Sequence, residues 1–265
     1  MSRLRELFAR VRSRRRPALM PFLEAGDPGF EVLERMVPAL VEAGAEAVEL
    51  GVPFSDPVAD GPVLQQAAQR ALQRGVNLGH VLEFVARLRR AVEVPVALMS
   101  YANPLLRYGW ERFCRDAKAA GVDAVIPADM PADEAQPLVE AARSAELDTV
   151  FLVAPTSTDA RIRLAASAST GFVYCVSLTG TTGPREQLSD DARRLLQRVR
   201  RLTDRPAVLG FGVAHPEHAV AVADLADGVI VGSALYRALE GAPDPVTAAA
   251  DFLRPFAEAL QRAPS

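Results

Sequence analysis

The sequence predicts a (β/α)8 barrel, and three observations carry that reading. Short apolar runs alternate with helical patterns along the chain, eight such runs are present, and 265 residues is close to the roughly 250 that one barrel domain takes. Regular alternation implies parallel strands joined by right-handed crossovers. Eight units favour closure, with an open doubly wound sheet as the other arrangement the pattern allows.

The chain opens on an arginine-rich segment, Arg3 to Arg16, which has the composition of a transit peptide or a basic arm. Leu4, Leu7, Phe8 and Val11 fall at i, i+3, i+4 and i+7, so the segment reads instead as an extra N-terminal amphipathic helix closing the barrel bottom. Strands are expected at Ala18 to Leu23, Ala45 to Val52, Pro95 to Tyr101, Ala124 to Pro127, Asp148 to Val153, Phe172 to Ser177, Ala207 to Val213 and Gly228 to Val231. Helical composition fills Glu31 to Ala43, Leu78 to Val92, Trp110 to Ala120, Asp133 to Ala145, Asp190 to Leu202 and Pro216 to Leu225, and a short helix opens at Ser233. No low-complexity stretch or interior linker divides the chain, so residues 1–265 are expected to form one domain.

Composition narrows the partners. A net charge of −3 gives no reason to expect nucleic acid or an anionic membrane. Two cysteines, Cys114 and Cys175, make no disulfide framework, no apolar run reaches about 18 residues, and no secretory h-region is present; a cytoplasmic setting is expected.

The most informative stretch runs from Ala45 to Pro62, AEAVELGVPFSDPVADGP. An apolar run that suits a buried parallel strand carries Glu49 near its C-terminal end. An unpaired charge there would cost several kcal/mol on the order-of-magnitude scale for desolvated ions, so a partner or a function must hold it. Pro53, Pro57 and Pro62 stiffen the following loop, which carries Ser55, Asp56 and Asp60. Glu49 and Asp60 thus become candidates to face one cavity, and in such barrels the chemistry sits in loops at the C-terminal strand ends. Asp129, Pro155 to Thr158 and Ser177 to Arg185 obey the same rule. Phe22 and Tyr174 read equally well as core packing or as the walls of an aromatic-sized pocket.

Late in the chain glycines cluster at strand ends: Gly180 to Gly183, Gly210 to Gly212, and Gly232 with Ser233. Close backbone approach and free amide hydrogens at a helix start favour an anion, and this is where such barrels commonly grip phosphate. Candidate phosphate ligands are Gly183, Gly212, Gly232 and Ser233. Imine chemistry has no plausible nucleophile, since Lys118 is the only lysine and lies mid-helix. His215 and His218 have i, i+3 spacing but no evident third ligand, so no metal site is expected and a surface or capping role is. Cys175 reads as a small core residue.

The string ELGVPFSDPVADGP resembles the signature of the tryptophan synthase alpha subunit family, and similar strings recur in order as PFLEAGDPG, LMSYANP, VAPTSTD, GFVYCVS and VIVGSAL. The resemblance implies a TIM barrel with a short phosphate-binding helix after strand eight. It implies cleavage of indole-3-glycerol phosphate to indole and glyceraldehyde 3-phosphate. It further implies no cofactor in this chain, and a beta subunit carrying pyridoxal phosphate that receives the indole within an α2β2 heterotetramer. By that resemblance Glu49 and Asp60 are the catalytic pair, Tyr174 offers a hydroxyl near Glu49, and Phe22, Thr182 and Phe211 contact substrate. Burial should raise the pKa of Glu49 so that it holds and returns a proton, while Asp60 should stay ionised near the ring nitrogen. The exposed loop with Pro53, Phe54 and Asp56 and the turn at Tyr101 to Pro104, with Asn103, resemble the surface that meets the beta subunit.

Two segments depart from the family pattern. SLTGTTGPRE has Thr181 where valine is usual, which bears on loop closure and coupling more than on chemistry. GVAHPEHA replaces the usual Gly-Ile-Ser. Three other functions fit parts of the sequence: a free-standing lyase releasing indole, an idle subunit that only activates its partner, and another phosphosugar barrel enzyme. The last leaves SDPVADGP unexplained, and an idle subunit leaves Glu49 and Asp60 without a task.

Overall fold

The computed structural model describes residues 2–176 and 189–263. Helix α1 (Arg3–Arg14) precedes β1 (Ala18–Glu24), α2 (Phe30–Glu42), β2 (Val48–Gly51), α3 (Pro62–Gln73), α4 (Leu78–Leu88) and β3 (Val96–Ser100). Then come α5 (Ala102–Tyr108), α6 (Trp110–Ala120), β4 (Ala124–Pro127), α7 (Gln136–Ser144), β5 (Asp148–Thr149), β6 (Phe151–Val153) and α8 (Asp159–Ala168). The chain ends with β7 (Val173–Val176), α9 (Asp190–Leu202), β8 (Ala207–Gly210), α10 (Pro216–Val220), β9 (Gly228–Val231), α11 (Ser233–Leu239) and α12 (Pro245–Arg262).

All strand pairs are parallel, in the order β5-β4-β3-β2-β1-β9-β8-β7-β6. The two outer strands of that order are consecutive in sequence, and this closes the sheet into a barrel. They are the halves of the expected fifth strand: Asp148 and Thr149 pair with β4, while Phe151 to Val153 pair with β7. The break has a local cause. The N–H groups of Thr149 and Phe151 donate to the side-chain hydroxyls of Thr170 and Ser169, both at 3.0 Å, and Val150 N–H alone bonds across to Val125 at 3.0 Å.

Alternation along the strands divides the apolar residues into two groups. Met20 and Phe22 of β1, Ala47 before β2, Met99, Ile126, Val150, Tyr174, Val208 and Ile230 fill the barrel interior. The opposite faces of the strands pack under the surrounding helices. Helix α1 buries Leu4, Leu7, Phe8 and Val11 against the interior group, so it plugs the barrel bottom as its stripe predicts. Its N-cap, Ser2, accepts from Arg5 N–H at 3.4 Å.

Several boundaries differ from the sequence expectation. The seventh expected strand stops at Gly210, because Phe211 and Gly212 turn to φ 69° and 78°. Helix α7 begins at Gln136 rather than Asp133, where Pro137 fits the first turn of a helix. Lys118 lies in the last turn of α6, not mid-helix, and donates to Glu146 O at 2.6 Å.

Candidate active site

Glu49 sits third from the end of the Ala45 to Gly51 apolar run, and its side chain shares the interior face with Ala47. Its register partner on β1 is Phe22. The carboxyl is fully buried. Tyr174 O–H donates to Oε2 at 3.4 Å, a long contact, and Oε1 has no hydrogen-bond partner. Burial pushes the Glu49 carboxyl up to about 8; the Tyr174 hydrogen bond opposes this and the Asp60 charge adds to it. A carboxyl that titrates so near neutrality both gives and takes a proton at working pH.

Asp60 enters from the loop between β2 and α3. Tyr101 O–H donates to its Oδ2 at 2.7 Å, and Ala59 N–H donates to the Tyr101 oxygen at 3.1 Å. Gln65 Nε2 braces the loop by donating to Asp60 O at 2.9 Å and Pro57 O at 3.3 Å. Partial burial raises Asp60 above the ordinary aspartate value and the Tyr101 hydrogen bond lowers it, so the carboxylate has a dedicated donor but not an unperturbed pKa. Sequence alone puts Tyr101 at the end of the third expected strand and in the turn that follows; nothing local links it to Asp60, which lies 41 residues away.

Tyr174 occupies space that only glycine can leave: a Cβ on Gly210 would lie 2.2 Å from the tyrosine ring and hydroxyl. The adjacent Phe211 meets Tyr174 edge-on, with ring centroids 6.2 Å apart. On the other wall Phe22 stands beside Gly232, which precedes Ser233 at the start of α11; a Cβ on Gly232 would be 3.2 Å from that of Phe22. Gly212, Gly232 and Ser233 therefore open onto the same C-terminal mouth as the two acids. Thr182 and Gly183 lie outside the described residues, as do Ser177 to Arg185 generally.

The expected partner surface is brought together only in part. Phe54 stacks on Tyr101 with centroids 5.1 Å apart, joining the loop to the start of α5. Asp56 and Asn103 are exposed, whereas Pro53 is buried, so it stiffens the loop from beneath instead of facing a partner. Val58 (81% exposed) and Leu106 (58%) are the large apolar side chains this region presents. Asp129 accepts from Ala102 N–H at 2.7 Å and so caps α5.

Of the two spaced histidines, His215 is exposed, as a surface role expects, while His218 is buried and takes the capping alternative; its Nδ1 lies 3.1 Å from Gly212 O and 3.3 Å from Ala214 N, which ties down the glycine turn after β8. Cys175 is fully buried with its thiol pushed up by burial, as a core residue should be. Among the described residues no group of three or more His, Cys, Asp or Glu is placed to hold a metal ion. Among them, too, no helix is long and apolar enough to cross a membrane.

Comparison with known proteins agrees with this fold. The family model described as tryptophan synthase alpha chain matches residues 8–263. A tryptophan synthase alpha chain from Chloroflexus aurantiacus is 47% identical over 265 residues, covering 99% of this chain and 100% of the relative. One from Solibacter usitatus is 48% identical over 240 residues, 91% of this chain and 90% of the relative. Among solved structures, a tryptophan synthase from Mycobacterium tuberculosis superimposes with a TM-score of 0.90 at 39% identity, covering 98% of each chain. The tryptophan synthase alpha chain from Legionella pneumophila gives a TM-score of 0.90 at 33% identity over 100% of this chain and 99% of its own. With the match extending over nearly its full length, the chain belongs to the tryptophan synthase alpha chain family.

Proposed function

We propose that Glu49 and Asp60 are the acid–base pair with which this chain, acting as the alpha subunit of a tryptophan synthase, cleaves indole-3-glycerol phosphate to indole and D-glyceraldehyde 3-phosphate. The activity is that of a lyase in tryptophan biosynthesis. The observation that carries the residue assignment is that both carboxyls, the Tyr174 hydroxyl and the glycine turns open onto one end of the barrel.

The roles follow from the electrostatics. Glu49, protonated through much of the neutral range, delivers its proton to the ring carbon that bears the side chain. Positive charge then develops on the ring nitrogen, where the Asp60 carboxylate, steadied by Tyr101, stabilises it. Loss of the proton from the side-chain hydroxyl turns that carbon into an aldehyde as the carbon–carbon bond breaks, and the bonding electrons return to the ring to give indole. The proton given at carbon is matched by the proton taken from oxygen, and Glu49 ends where it began. Phe22 and Phe211 wall the flat ring, Thr182 lies in the segment that follows β7, and Gly183, Gly212, Gly232 and Ser233 supply amides for the phosphate.

Indole passes to a beta subunit for condensation with L-serine, and pyridoxal phosphate belongs to that partner. An α2β2 assembly in the cytoplasm is the proposed setting, with Asp56, Asn103 and the exposed Val58 and Leu106 on the contact surface and Pro53 bracing it from below. Glu49→Gln is the test. Indole formation should fall by about 10³-fold or more, the upper part of the range for a general acid–base group, while substrate affinity changes little. An active variant would end the assignment.

A further inference from the structure

A third carboxyl stands at this mouth. Glu24 is the last residue of β1, and alternation puts it on the same face as Met20 and Phe22, which line the barrel interior. Its register partner is Gly51, two residues beyond the Phe22 and Glu49 pair, so Glu24 lies one layer closer to the mouth than Glu49. The carboxyl uses the room that Gly51 leaves: a Cβ there would be 2.7 Å from Glu24 Oε2. Glu24 is 3% exposed, and its Oε1 has no hydrogen-bond partner.

The charged and titratable groups that act on it come from three elements. Asp60 reaches it from the loop before α3, Asp27 from the loop before α2, and Tyr236 from α11. Tyr236 is a neutral phenol whose oxygen accepts Glu24 N–H at 2.7 Å. Asp27 is answered by two cations from α3, since Arg70 donates to both of its oxygens at 2.9 and 2.7 Å and Arg74 to one at 3.2 Å. Among the described residues Asp60 is therefore the neighbour without a cation. It has a donor in Tyr101, whereas among the described residues no donor reaches Glu24 Oε1.

We propose that Glu24 is a positioning residue for this reaction: held as the neutral acid within electrostatic reach of Asp60, it leaves Asp60 as the ionised carboxylate of the mouth. Like charges in one low-dielectric cavity cannot all form, and the anion settles on the site with a donor. Burial first, then Asp60 and Asp27, raise Glu24 well above the ordinary glutamate value, in keeping with that order of ionisation. As pH climbs past the Glu24 transition, a second negative charge enters the mouth and strengthens proton binding at its neighbours. The inference rests on the assignment of Asp60 above.

The test is a carbon-13 NMR titration of the full chain labelled at glutamate carboxyls, as wild type, Glu24→Gln, Glu49→Gln and Asp60→Asn. Two raised glutamate transitions are expected, one lost in each glutamine variant, so either variant alone assigns both. In Asp60→Asn the Glu24 transition should fall by roughly half a pH unit or more, because the coupling is reciprocal. Because an ionised Glu24 strengthens proton binding around it, the alkaline limb of the kcat profile should move to lower pH in Glu24→Gln, a readout that a purely structural role would not shift. A Glu24 transition in the ordinary carboxylate range, or one unmoved by Asp60→Asn, overturns the inference and leaves the Glu49 assignment standing. An active Glu49→Gln would remove that assignment without touching this titration.

Discussion

The two ends of the barrel use buried carboxyls in opposite ways. At the bottom, acids stand at strand starts and are met by cations: Asp123 receives Arg89 at 2.5 Å, Arg3 at 3.1 Å and Val96 N–H at 2.8 Å. Asp227 accepts Ala207 N–H at 2.9 Å with Arg200 at 3.7 Å, and Asp148, whose Oδ2 has no hydrogen-bond partner, still has the Arg5 cation at 3.9 Å. At the mouth, Glu24 ends β1 and Glu49 lies within β2, and among the described residues neither has a cation or a partner for its Oε1. Paired acids hold the fold in one arrangement; unpaired ones keep a proton that chemistry can use. Asp27 shows that position alone does not decide this, for it lies at the mouth yet is locked by Arg70 and Arg74.

The contrast is best broken by exchanging damage between the ends. Asp123→Ala should destabilise the chain by roughly 3–5 kcal/mol, the usual cost of orphaning a buried partner, because Arg89 would be left without its carboxylate. Thermal or urea unfolding would show the loss, and kcat per folded molecule should hold; a catalytic defect without a stability change would contradict the division. Glu49→Gln should do the reverse. The folded chain keeps Glu49 protonated up to about 8 whereas the unfolded chain releases that proton near 4.5, so the folded state binds the extra proton between those values. Stability from this group is complete below the lower value and is lost as pH rises towards the upper one. The variant should therefore gain on wild type by a few kcal/mol at alkaline pH and by nothing near pH 4, as parallel unfolding curves would reveal.

Tyr101→Phe offers a finer cut. Removing the donor to Asp60 should cost about 1.5–3 kcal/mol, or roughly 10- to 100-fold in kcat/KM, with little loss of stability. Because the hydrogen bond lowers the Asp60 pKa, the acid limb of the rate profile should move to higher pH. An unmoved limb would mean that Tyr101 only fills space. Gly210→Ala is expected to act at the same mouth through Tyr174, shifting the ring that its Cβ would strike and weakening the Tyr174 contact to Glu49. A modest fall in kcat with the fold retained is the result to look for in steady-state assays.

Much of this architecture is legible in the sequence. A carboxylate in the apolar run VELGV is conspicuous because a lone charge there is expensive, so Glu49 stands out from composition alone. The α1 stripe is readable because helical spacing is local. Asp60 gains its role through resemblance, since an acid in a polar loop is unremarkable. Glu24 sits in plain view in PFLEAGDPG and carries no signal, because its significance depends on Gly51 being opposite it.

What the sequence determined by itself was the number and kind of units, the closed end, the placement of the candidate site at one end of the strands and the identity of the acid in the apolar run. Each of these rests on periodicity or on the cost of one residue in its own strand. Only the tertiary structure decided that Tyr101 reaches Asp60, that Pro53 is buried, that the fifth strand divides at Val150 and that Glu24 joins Glu49 and Asp60 at one mouth. Those outcomes depend on strand register and barrel closure, which bring together residues tens of positions apart and so leave no trace in local spacing.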